Sequence, residues 1–193
     1  MKIYLASRSP RRKELLHQIG VDTEVLPSDI DESVVPGEAP EHYVLRLAHE
    51  KALACTHAIT RRGLPVMPVL AADTTVCADG EILGKPDDDA HAAAMLRMMS
   101  GRWHSVHTGV AIALGDRIEV LLSSTQVEMK TLTEAEIAAY IASGEPRDKA
   151  GAYGIQGLAG AFISRIEGSY SGVMGLPIFE TAQLLNTFGM HVL

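Results

Sequence analysis

The hexapeptide Ser7-Arg8-Ser9-Pro10-Arg11-Arg12 sets hydroxyls beside guanidiniums at a point where a helix is due to begin. With Ser9 as N-cap, Pro10 takes the first helical position, where its missing N–H costs nothing. Arg11 and Arg12 then lie in the first turn, where the partial positive charge of the helix end disfavours cations. A bound anion reverses that sign, because backbone N–H groups, hydroxyls and guanidiniums all face it. The alternative is a solvated basic turn. Further along, Val44, Ala48, Lys51 and Cys55 fall at i, i+4, i+7 and i+11. Lys51 therefore belongs to the apolar stripe of its helix, either as a snorkelling stem or as an ammonium aimed into a cleft.

Asp73 follows the apolar run Val69 to Ala72 and precedes Thr74. α/β folds place ligands at the C-terminal ends of buried strands, and a carboxylate there is costly unless it is paired or binds metal. Asp79-Gly80 reads as a two-residue hairpin turn; the register it sets pairs Ala78 with Glu81 and carries Lys85 opposite Thr74, beside Asp73. The segment from Ser143 to Gly160 is polar and rich in glycine. Long stretches of this kind inside a compact domain are more often functional than idle. Glycine lets the backbone approach a ligand closely, and the Gln156 amide offers one donor and one acceptor edge that suit a nucleobase.

Several familiar patterns are absent. Gly80 to Pro86 resembles a phosphate-binding P-loop, but it is one residue short and has Pro86 where a hydroxyl must hold magnesium. Gly168-Ser169-Tyr170-Ser171-Gly172 puts Tyr170 at the centre of a nucleophile elbow. Gly151, Gly154, Gly157 and Gly160 recur every three residues, which is not GxGxxG. The eight histidines show no HxxxH or HExxH spacing, so each reads as a surface or satisfied polar residue.

The elements that must position these groups are read from periodicity and punctuation. Strands are expected at Ile3–Ala6, Val69–Ala72 continuing through Cys77, Val106–Leu114, Ile118–Met129 and Ala161–Ile166. Helices are expected at Ser9–Ile19, Glu41–Thr60, Asp88–Met99, Thr133–Ser143 and Pro177–Phe188, with Thr133 and Glu136 forming a capping box. Ser28–Pro40 and Gly151–Gly160 read as loops. Strands and helices interleave and hairpins occur, so a mixed-sheet α/β architecture is expected, as a single domain over residues 1–193.

Composition bounds the function. Hydrophobic residues make up 47% and charged residues 21%, enough for a core and unlike a disordered chain. The net charge of −7 disfavours non-specific grip on nucleic acid polymers, so any polyanionic ligand must meet a local cluster of cations. Cys55 and Cys77 read as reduced structural thiols of a cytosolic protein. No secretory signal and no apolar run of membrane-spanning length is evident, so no membrane partner is expected.

Taken together, these motifs resemble the Maf family, the septum-formation-inhibitor-like nucleoside triphosphate pyrophosphatases. The resemblance runs from Ile3 to about Leu185. It is carried by Ala6-Ser7-x-Ser9-Pro10-Arg11-Arg12, Asp31-Glu32, Lys51 after Ala48-x-Glu50, Ala72-Asp73-Thr74, Gly84-Lys85-Pro86, Asp148-Lys149-Ala150-Gly151-x-Tyr153-Gly154-Ile155-Gln156-Gly157 and Ser169-Tyr170-x-x-Val173-x-Gly175-Leu176-Pro177. Ala71 departs from the glycine expected before Ala-Asp-Thr.

The resemblance implies a Maf/Ham1 (ITPase-like) α/β fold: a mixed twisted sheet flanked by helices, with two lobes around a cleft. It implies hydrolysis of a nucleoside triphosphate to monophosphate and pyrophosphate, a divalent cation (Mg2+ or Mn2+), a cytoplasmic location and a homodimer. Asp73 matches the family's proton acceptor. Arg11, Thr74 and Gln156 match positions tied to substrate choice, and their identities resemble the dTTP/UTP branch, modified pyrimidine triphosphates included, rather than the 7-methyl-GTP branch. Ser7, Arg11, Arg12, Lys51, Thr74, Lys85, Lys149 and Gln156 are the expected substrate-binding residues, with Glu32 and Asp73 as metal ligands. Asp73 is either a general base or mainly a ligand of the cation. The competing readings are a nucleotide-binding regulator of septum formation without turnover, and a pyrophosphatase for 7-methyl-GTP.

Overall fold

A computed structural model describes residues 1–192. Its seven strands form a mixed sheet in the order β2-β1-β3-β5-β6-β7, with β4 paired to β3. The strands are β1 (Lys2–Leu5), β2 (Asp22–Val25), β3 (Val69–Ala78), β4 (Glu81–Leu83), β5 (Trp103–Leu114), β6 (Arg117–Met129) and β7 (Ile163–Glu167). Six α-helices accompany them: α1 (Pro10–Gln18), α2 (Pro40–Arg61), α3 (Asp89–Met99), α4 (Glu134–Ala142), α5 (Tyr170–Met174) and α6 (Ile178–Thr187). This is the mixed α/β architecture expected from the sequence. Among the described residues, no helix is long and apolar enough to cross a membrane.

The chain gathers into two compact units. The first comprises Met1–Asp73, Thr108–Ser123 and Gly175–Leu193. In it, β1 pairs in parallel with both β2 and the start of β3. The core includes Tyr4, Ala48, Ala52, Cys55, Val69, Ala71, Ala111 and Ala113. Small residues dominate because α2 lies hard against the sheet: a Cβ at Gly109 would collide with the Val44 carbonyl, so only glycine fits. α2 starts with Pro40 at its first turn and buries Val44, Leu47, Ala48, Lys51, Ala52, Cys55 and Ile59 along one stripe.

The second unit comprises Thr74–His107 and Ser124–Met174. Its core gathers Val76, Leu96, Met99, Val127, Met129, Ile137, Tyr140 and Tyr153. α4 carries the expected capping box, with Glu136 N–H donating to Thr133 and the Glu136 carboxylate receiving the Thr133 N–H. The hairpin register is also as expected: Ala78 pairs with Glu81 and Cys77 with Ile82, across a turn in which Asp79 and Gly80 both have positive φ.

β3 runs through Asp73 and on over the β-favouring Thr74-Thr75-Val76-Cys77, as expected. Three other expectations need correction. The β3–β4 ladder ends at Val76–Leu83, because Gly84 turns its carbonyl to the Gly151 N–H; the Thr74–Lys85 pair does not form. Gly151–Gly160 is not one open loop. Short 3-10 turns at Ala150–Ala152 and Leu158–Phe162 take up both of its ends, closed by bonds such as Gly160 N–H to the Gly157 carbonyl. The last of these turns takes Ala161 and Phe162, so the expected Ala161–Ile166 strand begins only at Ile163.

Within the second unit, His104 is 3% exposed, and its Nε2 shares a 2.8 Å hydrogen bond with the Tyr153 hydroxyl. Burial pushes the imidazole down to about 4. The folded chain thus keeps His104 neutral, while the unfolded chain takes up a proton below the ordinary value near 6.5. Stability contributed by this group is full above that value and is lost as pH falls from about 6.5 to about 4, by about 3 kcal/mol in all. Urea unfolding of wild type and His104→Phe across that window checks this. The variant is expected to lose about one proton's worth of pH slope, and an unchanged slope assigns the dependence elsewhere.

Candidate active site

In the first unit, a single ammonium organises two carboxylates. Lys51 Nζ lies 2.6 Å from Asp73 Oδ1 and 2.7 Å from Glu32 Oε1. Lys51 is 8% exposed and Asp73 9%, so this is a buried ion pair with its second acid, Glu32, at the solvent edge. Three elements converge to make it: the apolar stripe of α2 presents Lys51, the interior of β3 presents Asp73, and the loop before α2 presents Glu32. The second oxygen of Asp73 takes no hydrogen bond from the described residues. The loop is tied down by α2 itself. Tyr43 donates to the Glu32 carbonyl at 2.9 Å, and Arg46 donates to the Ser33 carbonyl at 3.1 Å while pairing with Glu38. Burial, with Asp73 and Glu32 nearby, pushes the Tyr43 phenol up to about 12, so it remains a donor.

The start of α1 supplies the other half. Ser9 is the N-cap and Pro10 follows at the first helical position, but the Ser9 hydroxyl makes no capping bond. Instead Ser7 Oγ accepts from Ser9 N–H at 3.2 Å and from Arg12 Nη1 at 3.1 Å. Both lone pairs of that oxygen are thereby used, and the Ser7 O–H is left as a donor. Arg12 Nε donates to the Gly175 carbonyl at 2.7 Å. Desolvation lowers the Arg12 pKa, and Asp73 and Glu32 oppose the shift through their charge. Arg11 is half-buried, and the first turn of α1 contains no acidic residue. The Arg12 guanidinium, one ammonium and a hydroxyl donor around a partly satisfied carboxylate, with Arg11 next to Arg12 in the first turn of α1, make a setting suited to a polyanion.

The two carboxylates that meet at Lys51 are hard oxygen donors of the kind magnesium uses, one or two at a time, alongside substrate phosphates. Asp73 and Glu32 therefore fit the divalent cation that the sequence resemblance implies. Among the described residues, no group of three or more His, Cys, Asp or Glu forms an all-protein cage.

The second unit holds the remaining expected residues. Thr74 is half-buried on β3. Lys85 is exposed just beyond β4, with no hydrogen bond or ion pair among the described residues. Lys149 turns into its own loop, donating to the Glu145 carbonyl at 2.8 Å and the Asp148 carboxylate at 2.7 Å. Gln156 is exposed, and its amide takes no partner among the described residues.

Sequence reasoning missed Tyr43, and it named Gly175 within a motif without foreseeing its contact with Arg12. Tyr43, Leu47 and Lys51 follow at steps of four, a spacing that puts Tyr43 on the Lys51 side of the helix. The bond from Arg12 to the Gly175 backbone spans 163 positions and leaves no local signal.

The family model described as Maf-like protein matches residues 2–188. The chain is 64% identical over 191 residues to the dTTP/UTP pyrophosphatase of Methylobacillus flagellatus, covering 99% of this chain and 94% of that protein. It is 57% identical to the dTTP/UTP pyrophosphatase of Chromobacterium violaceum, covering 99% and 96%. Among solved structures, the Staphylococcus aureus Ham1 protein aligns with a TM-score of 0.42 and 15% identity over 67% of this chain and 72% of that one. With the family model spanning nearly the whole chain and relatives this similar, the protein belongs to the Maf family.

Proposed function

We propose that this chain is a nucleoside triphosphate pyrophosphatase acting on dTTP and UTP, which it cleaves between the α and β phosphates. The observation that carries the reading is the buried Asp73 carboxylate held by Lys51 beside the Arg12–Ser7 pair, in a chain 64% identical to a dTTP/UTP pyrophosphatase. A triphosphate carries about four negative charges, and catalysis of its transfer reactions rests on positioning and charge stabilisation. Arg11, Arg12 and Lys51 meet that charge, and the Ser7 hydroxyl donates to a phosphate oxygen. Asp73 accepts the proton of a water through its second oxygen while Lys51 fixes the first. The water oxygen bonds to the α-phosphorus in line as the bond to the bridging oxygen breaks, and pyrophosphate leaves with that electron pair.

A divalent cation held by Asp73 and Glu32 would neutralise phosphate charge. Thr74 follows Asp73 in the chain and contacts the substrate beside it, Lys85 adds an exposed cation, and Lys149 does so only by giving up Asp148. The Gln156 amide pairs with the O4 and N3–H edge of thymine or uracil, one donor and one acceptor. The net charge of −7 suits free nucleotides rather than polymers, and a cytoplasmic role in clearing the nucleotide pool follows from that substrate class.

The test is direct. Purified chain with magnesium or manganese is given canonical and modified triphosphates, and monophosphate and pyrophosphate are quantified. Both products from dTTP and UTP, with little from purines, are expected, and Gln156→Ala is expected to flatten the dTTP-to-dGTP preference. Turnover confined to purine or 7-methylated substrates removes the specificity assignment. Binding without turnover of any nucleotide replaces the enzyme with a nucleotide-binding regulator.

A further inference from the structure

The exposed Gln156 side chain has no hydrogen-bond partner of its own among the described residues, so its place is set by its backbone alone. An amide that discriminates bases needs that backbone fixed, because a shift of about 1 Å at a recognition group already costs orders of magnitude in rate. The fixing is visible. Gln156 sits in a tight turn closed by Gly157 N–H to the Gly154 carbonyl at 3.0 Å. Both ends of that turn are tied to one carboxylate. Glu145 Oε2 accepts the Leu158 N–H at 2.9 Å. Glu145 Oε1 accepts the Tyr140 hydroxyl at 2.8 Å, and Tyr140 Oη in turn accepts the Gly154 N–H at 3.2 Å. The residues two before and two after Gln156 are thus fastened to the same side chain, directly or through one phenol.

The surroundings make the strap specific. Any Cβ at Gly157 would overlap the Glu145 carboxylate, so glycine alone lets the chain pass this close. Tyr140 is 3% exposed and packs edge-on against Phe162 with ring centroids 5.4 Å apart. Burial raises its phenol, which therefore stays protonated and donates to Glu145. Hydrogen bonds from backbone N–H groups to an ionised carboxylate are among the stronger kinds.

We propose that Glu145 and Tyr140 are positioning residues for base choice: their carboxylate–phenol strap holds Gly154 and Leu158 so that the Gln156 amide presents a fixed donor–acceptor edge. The inference rests on the reading of Gln156 as the base-recognition residue.

The test combines amide hydrogen exchange at Gly154 to Leu158 with the dTTP-to-dGTP ratio of kcat/KM, in Glu145→Ala, Glu145→Gln, Tyr140→Phe and Gln156→Ala. In Glu145→Ala, exchange at Leu158 and Gly154 is expected to rise about tenfold or more. The nucleotide ratio is expected to fall about tenfold toward the Gln156→Ala value, through KM for dTTP with kcat within about threefold of wild type. Glu145→Gln keeps one acceptor for Leu158 and is expected to recover most of the ratio, and Glu145→Ala with Gln156→Ala together are expected to do no worse than Gln156→Ala alone. Unchanged exchange in both Glu145→Gln and Tyr140→Phe, with Glu145→Ala either unchanged or unfolded, overturns the strap. A wild-type ratio in Glu145→Ala, where Gln156→Ala loses it, overturns the positioning role and leaves the Gln156 reading intact. A ratio preserved in Gln156→Ala itself is a different failure: it removes the base reading, and the specificity role of the strap with it.

Discussion

Asp73→Asn is expected to lower kcat on dTTP by about 10²- to 10⁴-fold, the range over which a positioned acid or base contributes. The substitution isolates chemistry from folding. The amide oxygen it introduces still accepts from Lys51 Nζ, which lies 2.6 Å from Asp73 Oδ1, and Lys51 keeps Glu32 as a counter-charge at 2.7 Å. What disappears is the basic second oxygen, which takes no hydrogen bond from the described residues. KM is expected to change little, because the cations that meet the phosphates remain. Unfolding midpoint and steady-state kinetics measured together check both halves. Near-wild-type kcat in a folded Asp73→Asn would take Asp73 out of the mechanism. A fall that high magnesium reverses would instead make Asp73 chiefly a ligand of the cation.

Local rules carried much of the fold to the page. The capping box at Thr133 and Glu136 and the Asp79-Gly80 turn are short-range patterns, and both are present in the structure. Lys51 was readable too, because an α-helix repeats every 3.6 residues whatever lies opposite, so a charge in an apolar stripe shows in sequence. What lay opposite was not readable. Asp73 Oδ1 and Glu32 Oε1 reach Lys51 from a strand and a loop whose approach depends on the packed sheet. β2 was invisible for a related reason: it is mostly exposed, lacks apolar alternation and is held by its parallel ladder to β1. The Gly84 carbonyl shows how one distant bond overrules a local register. It accepts from Gly151, the ladder ends at Leu83, and the expected pairing of Lys85 with Thr74 is lost. α5, only five residues long, is too short for periodicity to reveal.

Lys51→Met tests the other half of the site, and its largest expected effect is on stability. The stem of Lys51 already runs with Val44, Ala48 and Cys55, so methionine fits the stripe and leaves no cavity to account for a loss. The change removes only the charge, leaving Asp73, 9% exposed, without its paired ammonium. Breaking a buried pair from one side costs about 3–5 kcal/mol, whereas Glu32, more than half exposed, adds little because solvent screens it. Denaturant unfolding at pH 7 is the measurement, and Lys51→Met with Asp73→Asn is expected to recover at least half of the loss, since the stranded charge goes with it. The two carboxylates that Lys51 vacates become a better site for a divalent cation than before. Magnesium is therefore expected to stabilise Lys51→Met more than wild type, the variant itself gaining about 1.4 kcal/mol at a tenfold excess of magnesium over its Kd. Equal stabilisation of the two proteins would mean that Asp73 and Glu32 do not share a cation. A Lys51→Met variant as stable as wild type would mean that the ammonium does not hold Asp73 in place, and the orienting role given to Lys51 in the proposed reaction would fall with it.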